Sequence, residues 1–167
     1  MADLFLQASA EFPAQAYRTL LSRWWDDGPR LCVCGQNPSL ADRDRSDPTI
    51  TRCVRRARDL GFAGLDMVNL YPLVTPYPDL MFAVPDALGV EYGIDADAVI
   101  LDAARKAGMV IAAWGGDRRQ AERATHVRRM LNQHGIPLYA LGFTLDGAPR
   151  HPSRLAYSVQ PEVWGAA

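Results

Sequence analysis

Polar side chains that could do chemistry are concentrated in four short segments, each of which follows an apolar run. These segments are GQNPS (35–39), NLYP (69–72), WGGD (114–117) and APRHPSRL (148–155). Ser39 and Ser153 lack a Gly-x-Ser-x-Gly elbow, and His151 is the only histidine in the four segments. No histidine and carboxylate stand at the spacing of metal ligands. The neutral amides, hydroxyls and imidazole are suited to bind a planar polar ring, such as a nucleobase, and to stabilise negative charge that leaves on it.

Four predicted β-strands must position these segments. They are short runs of β-prone residues bounded by turn residues: RLCVCG (30–35), GLDMVNLYP (64–72), MVIAAWGG (109–116) and PLYALG (137–142). Because helical patterns separate them, we predict an α/β fold, a three-layer α/β/α sandwich on a mostly parallel four-stranded sheet. Ligands of such folds bind beyond the carboxyl ends of the strands, where all four polar segments lie.

The predicted helices follow from apolar spacing and from capping residues. The first begins after Asp47, a good N-cap ahead of Pro48, and its apolar residues recur up to Leu60. Three further helices are predicted over 13–25, over 95–107 and from Asp117 to about His134, and a loop with a short helix is predicted over 73–94.

Composition limits the class of protein. A chain of 167 residues with 49% hydrophobic content is long enough for one domain, which we expect to span 1–167. No apolar stretch approaches the ~20 residues of a membrane span, and the N-terminus is acidic rather than basic, so we expect a cytoplasmic protein with no membrane partner. Cys32, Cys34 and Cys53 form no CxxC pair, which argues against a disulfide framework or a thiolate metal site.

The charge of the chain is unevenly distributed. A net charge of −1 argues against a protein that coats nucleic acid indiscriminately. Arginine is nevertheless concentrated in residues 42–58 and 118–129. These stretches are either local basic faces or solvated faces of helices, and the sequence leaves both interpretations open.

Three of the polar segments resemble motifs of the uracil-DNA glycosylase superfamily. GQNPS is similar to the first motif, in which Asp or Asn follows Gly-x and precedes Pro at the end of the first strand. HPSRL (151–155) is similar to the second motif, and NLYP resembles the Asn-x-Cys-Pro segment of the single-strand-selective branch. The chain also resembles a bacterial family described only as a domain of unknown function, whose landmarks are Asn-Pro-Ser, Asp-Pro-Thr, Gly-Leu-x-x-Val-Asn-Leu and Pro-Arg-His-Pro.

The superfamily resemblance implies a uracil-DNA glycosylase-like fold and a monofunctional DNA glycosylase that acts without a metal or other cofactor. It would hydrolyse the N-glycosidic bond of a flipped uracil-like base in base excision repair. Asn37 would hold the attacking water below the sugar, and neutral His151 would donate a hydrogen bond to O2 of the departing base. Asn69 would bind the O4 and N3–H edge, which distinguishes uracil-like bases from cytosine.

The same resemblance implies two further sets of residues. Those that bind the base would be Gly35, Gln36, Asn69 and Tyr71. Those that contact DNA and its phosphates would be Ser39, Arg150, Ser153, Arg154 and Leu155, and the arginine-rich stretches add Arg52 and Arg118 as candidate phosphate contacts. Of these, Arg154 and Leu155 would fill the gap that the flipped base leaves in the helix.

One departure from the superfamily concerns the ring that stacks on the base. A loop of Gly and an aromatic residue usually follows the first motif, whereas SLADRDRSDPTI (39–50) and the residues after it offer no aromatic side chain before Phe62. Either Tyr71 or another ring stacks on the base, or the pocket accepts a polar 5-substituent, as in 5-hydroxymethyluracil. The candidates to contact that substituent are Asp42, Arg43 and Asp44.

Two other classes of function stay open. One is a non-catalytic module that senses modified nucleic acid, and the other is a hydrolase of free nucleotides, since the same pocket would serve either. Dependence on DNA distinguishes the three classes. We expect a monomer whose partner is DNA that contains a damaged or modified base.

Overall fold

The fold is built on one mixed sheet of seven strands. A computed structural model describes residues 6–165, so the two ends of the predicted 1–167 domain lie outside the described residues. The strands are β1 (Gln7–Glu11), β2 (Leu20–Trp24), β3 (Arg30–Gly35), β4 (Gly64–Asn69), β5 (Met109–Ala112), β6 (Leu138–Ala140) and β7 (Glu162–Trp164). Their order in the sheet is β1-β2-β4-β3-β5-β6-β7. No helix among the described residues is long and apolar enough to cross a membrane.

The four central strands are parallel and coincide with the four that the sequence predicts. β4 pairs with β3, β3 with β5, and β5 with β6, all in parallel register. Three of them are shorter than predicted, because residues 70–72, 113–116 and 141–142 belong to the loops that follow. The polar segments therefore begin where these strands end.

The prediction of a four-stranded, mostly parallel sheet is wrong, because antiparallel strands extend the sheet at both edges. β1 and β2 lie beyond β4, and β7 pairs with β6. The predicted helix over 13–25 is wrong for the same reason, since β2 occupies part of that range. β2 buries the polar residues Ser22 and Arg23, so it lacks the alternation of a half-buried strand. Ser22 Oγ donates to Asp66 Oδ1 on β4 at 2.6 Å, a long-range contact that no local pattern reveals.

Helices cover both faces of the sheet. They are α1 (Pro48–Asp59), α2 (Pro78–Ala83), α3 (Ala96–Lys106) and α4 (Ala121–Gln133). Successive side chains of β3 point to opposite faces, so Leu31 and Val33 share a core with α1, whereas Cys32 and Cys34 share a core with α3 and α4. All three cysteines are buried and free. The predicted α/β class is therefore confirmed.

Capping residues set the starts of the long helices. Asp47 Oδ1 accepts a hydrogen bond from the Ile50 amide at 2.9 Å, which confirms Asp47 as the N-cap of α1. Asp95 caps α3, and Asp117 caps a 3₁₀ turn that leads into α4. The predicted loop over 73–94 contains the short helix α2, as expected.

Candidate functional site

A pocket of about 170 Å³ lies at the carboxyl ends of β3 and β4. Three of the four polar segments reach it. Its lining includes six residues that the sequence assigns to a site: Gly35, Gln36, Asn37, Ser39, Asn69 and His151. A cavity of ~150 Å³ is enough to hold one benzene ring, so this pocket is of a size to accept a single six-membered ring.

Part of the pocket wall is apolar. Met67 and Ile50 line it together with Pro38, Pro76 and Pro78. Among its described lining residues, the imidazole of His151 is the only aromatic ring. A bound ring would therefore lie between proline rings and aliphatic or thioether groups rather than on a phenyl group.

Gly35 allows two pocket residues to approach the backbone closely. It is the last residue of β3 and lies opposite Asn69 in the parallel register with β4. A Cβ atom at position 35 would lie 2.8 Å from Asn69 Oδ1 and 2.9 Å from Met67 Cε, both closer than real Cβ contacts. Only glycine leaves room for both side chains in their present positions.

The side chain of Asn37 is held in one orientation by backbone carbonyl groups. Its Nδ2 donates to Thr75 O at 2.9 Å, to Pro38 O at 3.0 Å and to Leu73 O at 3.4 Å. Because carbonyl oxygens only accept hydrogen bonds, the amide nitrogen must point toward them. The amide oxygen, Oδ1, has no protein partner within residues 6–165, and Asn37 lines the pocket. It is an acceptor available to a water or a ligand.

Asn69 offers a buried amide that the protein does not satisfy. The residue is only 5% exposed, and its Nδ2 is buried with no hydrogen-bond partner. Buried polar groups without partners are rare in folded proteins, and a bound water or ion is one explanation for such a group. Because Asn69 lines the pocket, this unpartnered amide lies at the pocket wall.

The hydrogen bonds of His151 fix its tautomer. The backbone amide of Ser153 donates to His151 Nδ1 at 3.2 Å, and Ser153 Oγ lies 2.8 Å from the same nitrogen. A backbone N–H can only donate, so Nδ1 is the unprotonated nitrogen and the proton of the neutral ring is on Nε2. Partial desolvation of this rim residue lowers the pKa of His151 below its ordinary value, although the Asp47 carboxylate acts in the opposite direction. The ring is therefore a neutral Nε2–H donor at neutral pH.

The segment that carries His151 is anchored from α1. Pro152 is buried, and residues Pro152–Arg154 form a 3₁₀ turn. Arg52 donates from Nε to Pro152 O at 3.3 Å and from Nη2 to Leu155 O at 2.5 Å, and its guanidinium group lies 4.6 Å from the ring centre of Tyr157. Arg52 therefore positions the His-Pro-Ser turn, and these contacts occupy the side chain that the sequence assigns to phosphate.

Other predicted site residues lie outside the pocket. Tyr71 packs edge-on against Phe82, with ring centroids 5.9 Å apart, and does not line the pocket. The three candidate substituent contacts, Asp42, Arg43 and Asp44, belong to the loop before α1 and also do not line it. Asp42 Oδ1 accepts from the backbone amides of residues 44 and 45, which lowers the pKa of its carboxyl. None of the four is placed to touch a ring in the pocket.

The remaining predicted DNA contacts do not line the pocket, and their side chains are constrained to different degrees. Arg154 is exposed, whereas Leu155 is partly buried against the α1 side of the core. Arg118 pairs with Asp146 at 3.1 Å, and Arg150 Nε donates to a backbone carbonyl. Ser153 contacts His151 rather than lining the pocket. Arg154 is thus the least constrained of these side chains.

Two charged lining residues are additional to the predicted set. Arg18 is 2% exposed and lines the pocket, yet the sequence places it on a predicted helix where a charged side chain would face solvent. Asp47 lines the pocket as well as capping α1, and the sequence predicts only the cap. The Asp-Pro-Thr landmark offers a signal for Asp47, whereas no local pattern marks Arg18.

Comparison with known proteins gives one match. No curated protein and no solved structure matches the chain. A family model described as "Protein of unknown function (DUF1643)" matches residues 18–153, which include every lining residue described above. The match covers well over half of the sequence, and it agrees with the landmarks of a family of unknown function. The chain therefore belongs to the DUF1643 family.

Proposed function

We propose that the protein is a DNA glycosylase with a uracil-DNA glycosylase-like fold, which releases a uracil-like or 5-substituted uracil base from DNA. One observation carries this proposal. A pocket with room for one ring combines a neutral Nε2–H donor on His151, a free amide oxygen on Asn37 and an unpartnered amide on Asn69. These groups are what binding a pyrimidine and stabilising its departure as an anion require.

In the proposed reaction each group has a separate role. A nucleotide flipped out of the stack places its base in the pocket, where Asn69 Nδ2 donates to O4 and Asn69 Oδ1 accepts from N3–H. The bond between C1′ and N1 breaks with both electrons on the base. The Nε2–H of His151 donates to O2 and stabilises the negative charge that develops there.

Water completes the reaction on the sugar. Asn37 Oδ1 accepts a hydrogen bond from the water, which attacks C1′ and loses one of its two protons to solvent, leaving a hydroxyl group on C1′. An amide is too weak a base to take that proton, so the glycosidic bond must be largely broken before the water adds. The carbonyl groups around Nδ2 hold the amide oxygen in place for this role.

A second candidate, a hydrolase of free nucleosides or nucleotides, is favoured by the arginine contacts. Arg52 and Arg118, both assigned to DNA phosphates, are engaged by Leu155 O and Asp146. If these contacts persist with substrate, the two arginines do not bind DNA phosphates. The protein would then bind a mononucleotide and a DNA strand equally well.

The experiment uses one labelled base per strand. Single-stranded and duplex DNA with uracil, 5-hydroxymethyluracil or another 5-substituted uracil is incubated with protein and then treated with alkali, and release from the matching mononucleotides is measured in parallel. We expect alkali-dependent cleavage of DNA at the labelled position. Release from mononucleotides alone would support the second candidate, and binding without release would support a sensor module.

A further inference from the structure

The side chain of Arg18 is a buried cation at the wall of the candidate pocket. The residue lies two positions before β2 and is 2% exposed, so its guanidinium group is almost wholly removed from solvent. It lines the same pocket as Asn69 and His151. Burial of a charged group is costly unless the group is paired and hydrogen-bonded.

The protein satisfies only part of this guanidinium group. Arg18 Nη1 donates to Ala41 O at 2.6 Å, whereas Nε is buried and has no partner. No carboxylate within residues 6–165 forms an ion pair with Arg18. Asp47 is close enough to favour its charge but does not reach pairing distance.

Two other buried arginines show how this chain treats a guanidinium group with a structural role. Arg23 donates to the carbonyl oxygens of Ser22, Asp42 and Arg45. Arg56 uses two nitrogens, donating to Val159 O and Ala156 O. Arg18 has a single carbonyl partner, and of the three it is the one that lines the candidate pocket. The described residues of the fold therefore leave part of its donor capacity unused.

The charge on Arg18 persists at neutral pH. Desolvation lowers the pKa of Arg18 to about 10, and Asp47 opposes that shift. At pH 7 the side chain is still protonated, so the pocket carries a buried positive charge. A ligand that brings a negative charge to this wall would provide the missing partner.

We propose that the pocket selects a planar ring that carries an anionic substituent, and that Arg18 is the residue that binds this substituent. A carboxylate on a pyrimidine ring fits the proposal, because a guanidinium group binds carboxylates through parallel N–H donors and Asn69 can bind the ring edge beside it. The identity of the ring rests on the proposed function, whereas the anionic substituent is inferred from Arg18 independently of that function. It also supplies a contact for a base substituent that residues 42–44 do not provide.

The test compares the affinities of charged and neutral rings. Uracil-5-carboxylate, orotate, 5-hydroxymethyluracil and uracil are titrated into the full-length protein by calorimetry, with acetate and inorganic phosphate as anions that lack the ring. We expect at least one of the two carboxylates to bind roughly 10-fold or more tightly than uracil. The inference is overturned if neither carboxylate binds more tightly than uracil, or if acetate or phosphate binds as tightly as the better carboxylate, since the ring would then contribute nothing.

Variants of Arg18 separate recognition from folding. Arg18→Met keeps the length of the side chain and removes the charge, so the preference for the carboxylate should fall to about 1-fold, and Arg18→Lys should retain part of it. The matched control is Arg105→Met, an exposed arginine on α3, which should keep the full preference. A preference that survives in Arg18→Met would overturn the assignment to Arg18. If Arg18→Met does not fold, the preference of the wild-type protein and of Arg18→Lys decides.

Failure of this inference is distinguishable from failure of the proposed function. If the labelled DNA releases no base but the carboxylate preference depends on Arg18, the anion site stands and the glycosylase proposal falls. If base release depends on His151 but charged and neutral rings bind alike, the glycosylase proposal stands and the anion site falls.

Discussion

Replacing Gly35 with alanine would add one methyl group at the floor of the pocket. The new Cβ atom would lie 2.8 Å from Asn69 Oδ1 and 2.9 Å from Met67 Cε. The flexible end of Met67 can move aside, but Asn69 is 5% exposed and has little room to do so. The backbone φ angle of Gly35 is not positive, so the clash with side chains is the source of the expected effect.

The expected magnitude follows from overpacking. An extra methyl group in a well-packed site costs about 1–3 kcal/mol of folding stability, and we expect Gly35→Ala to fall in that range. Displacement of Asn69 should also weaken the binding of uracil by roughly 10-fold, which corresponds to 1.4 kcal/mol. Chemical denaturation measures the first effect, and calorimetric titration measures the second.

A matched control separates the pocket from a general effect of alanine. Gly165 has open space around its hypothetical Cβ atom and no positive φ, so Gly165→Ala should leave both quantities unchanged. Unchanged stability together with unchanged uracil binding in Gly35→Ala would refute the close approach of Gly35 to Asn69.

Three further predictions test separate contacts. Because the folded-state pKa of His151 is lowered, the stability of the wild-type protein should fall as the pH drops below the ordinary histidine pKa of about 6.5. His151→Gln keeps a neutral N–H donor and removes the titratable ring, so thermal unfolding should show less of this fall in the variant; an equal fall in both proteins would contradict the lowered pKa. Asn37→Asp would direct a carboxylate oxygen at Thr75 O and Pro38 O, so chemical denaturation should show a loss of about 1–3 kcal/mol in folding stability. This stability should recover at low pH, where the protonated acid can donate. A variant as stable as the wild type at pH 7 would contradict the assigned amide orientation. Arg23→Met should destabilise the fold by at least about 2 kcal/mol, because it leaves three backbone carbonyls without their donor. Arg18 has one carbonyl partner, so Arg18→Met should change stability by less than about 1 kcal/mol. Equal losses in chemical denaturation would contradict a structural role for Arg23 that Arg18 lacks.

The parts of the fold that local signals determine are predictable from the sequence. The four central strands are short β-prone runs between turn residues, and Asp47 marks the start of α1. β2 is not predictable in this way, because Ser22 and Arg23 are buried through contacts with Asp66, with the carbonyl of residue 42 and with that of residue 45. Tertiary contacts thus decide the structure where the local pattern is ambiguous.

The residues of the candidate site are also predictable only where local signals position them. Asn37, Asn69 and His151 follow predicted strands, and the geometry of a parallel sheet brings the ends of those strands to one edge. Tyr71 follows a strand too, but its ring packs on Phe82 of α2, a contact with a helix whose position the sequence does not specify. Arg18 reaches the pocket from the segment just before the antiparallel strand β2, which the prediction of a parallel sheet does not contain.

The central claim is that His151 donates a hydrogen bond to a departing base, and the single-turnover rate of base release tests it most directly. Wild-type protein, His151→Ala and His134→Ala are compared on the best substrate of the panel, where His134 is an exposed histidine at the end of α4 outside the pocket. Removal of one donor to a developing anion costs ~10²–10³-fold in rate, so His151→Ala should lose about 100-fold or more while His134→Ala stays at the wild-type rate. A His151→Ala variant within a few-fold of wild type would contradict the account.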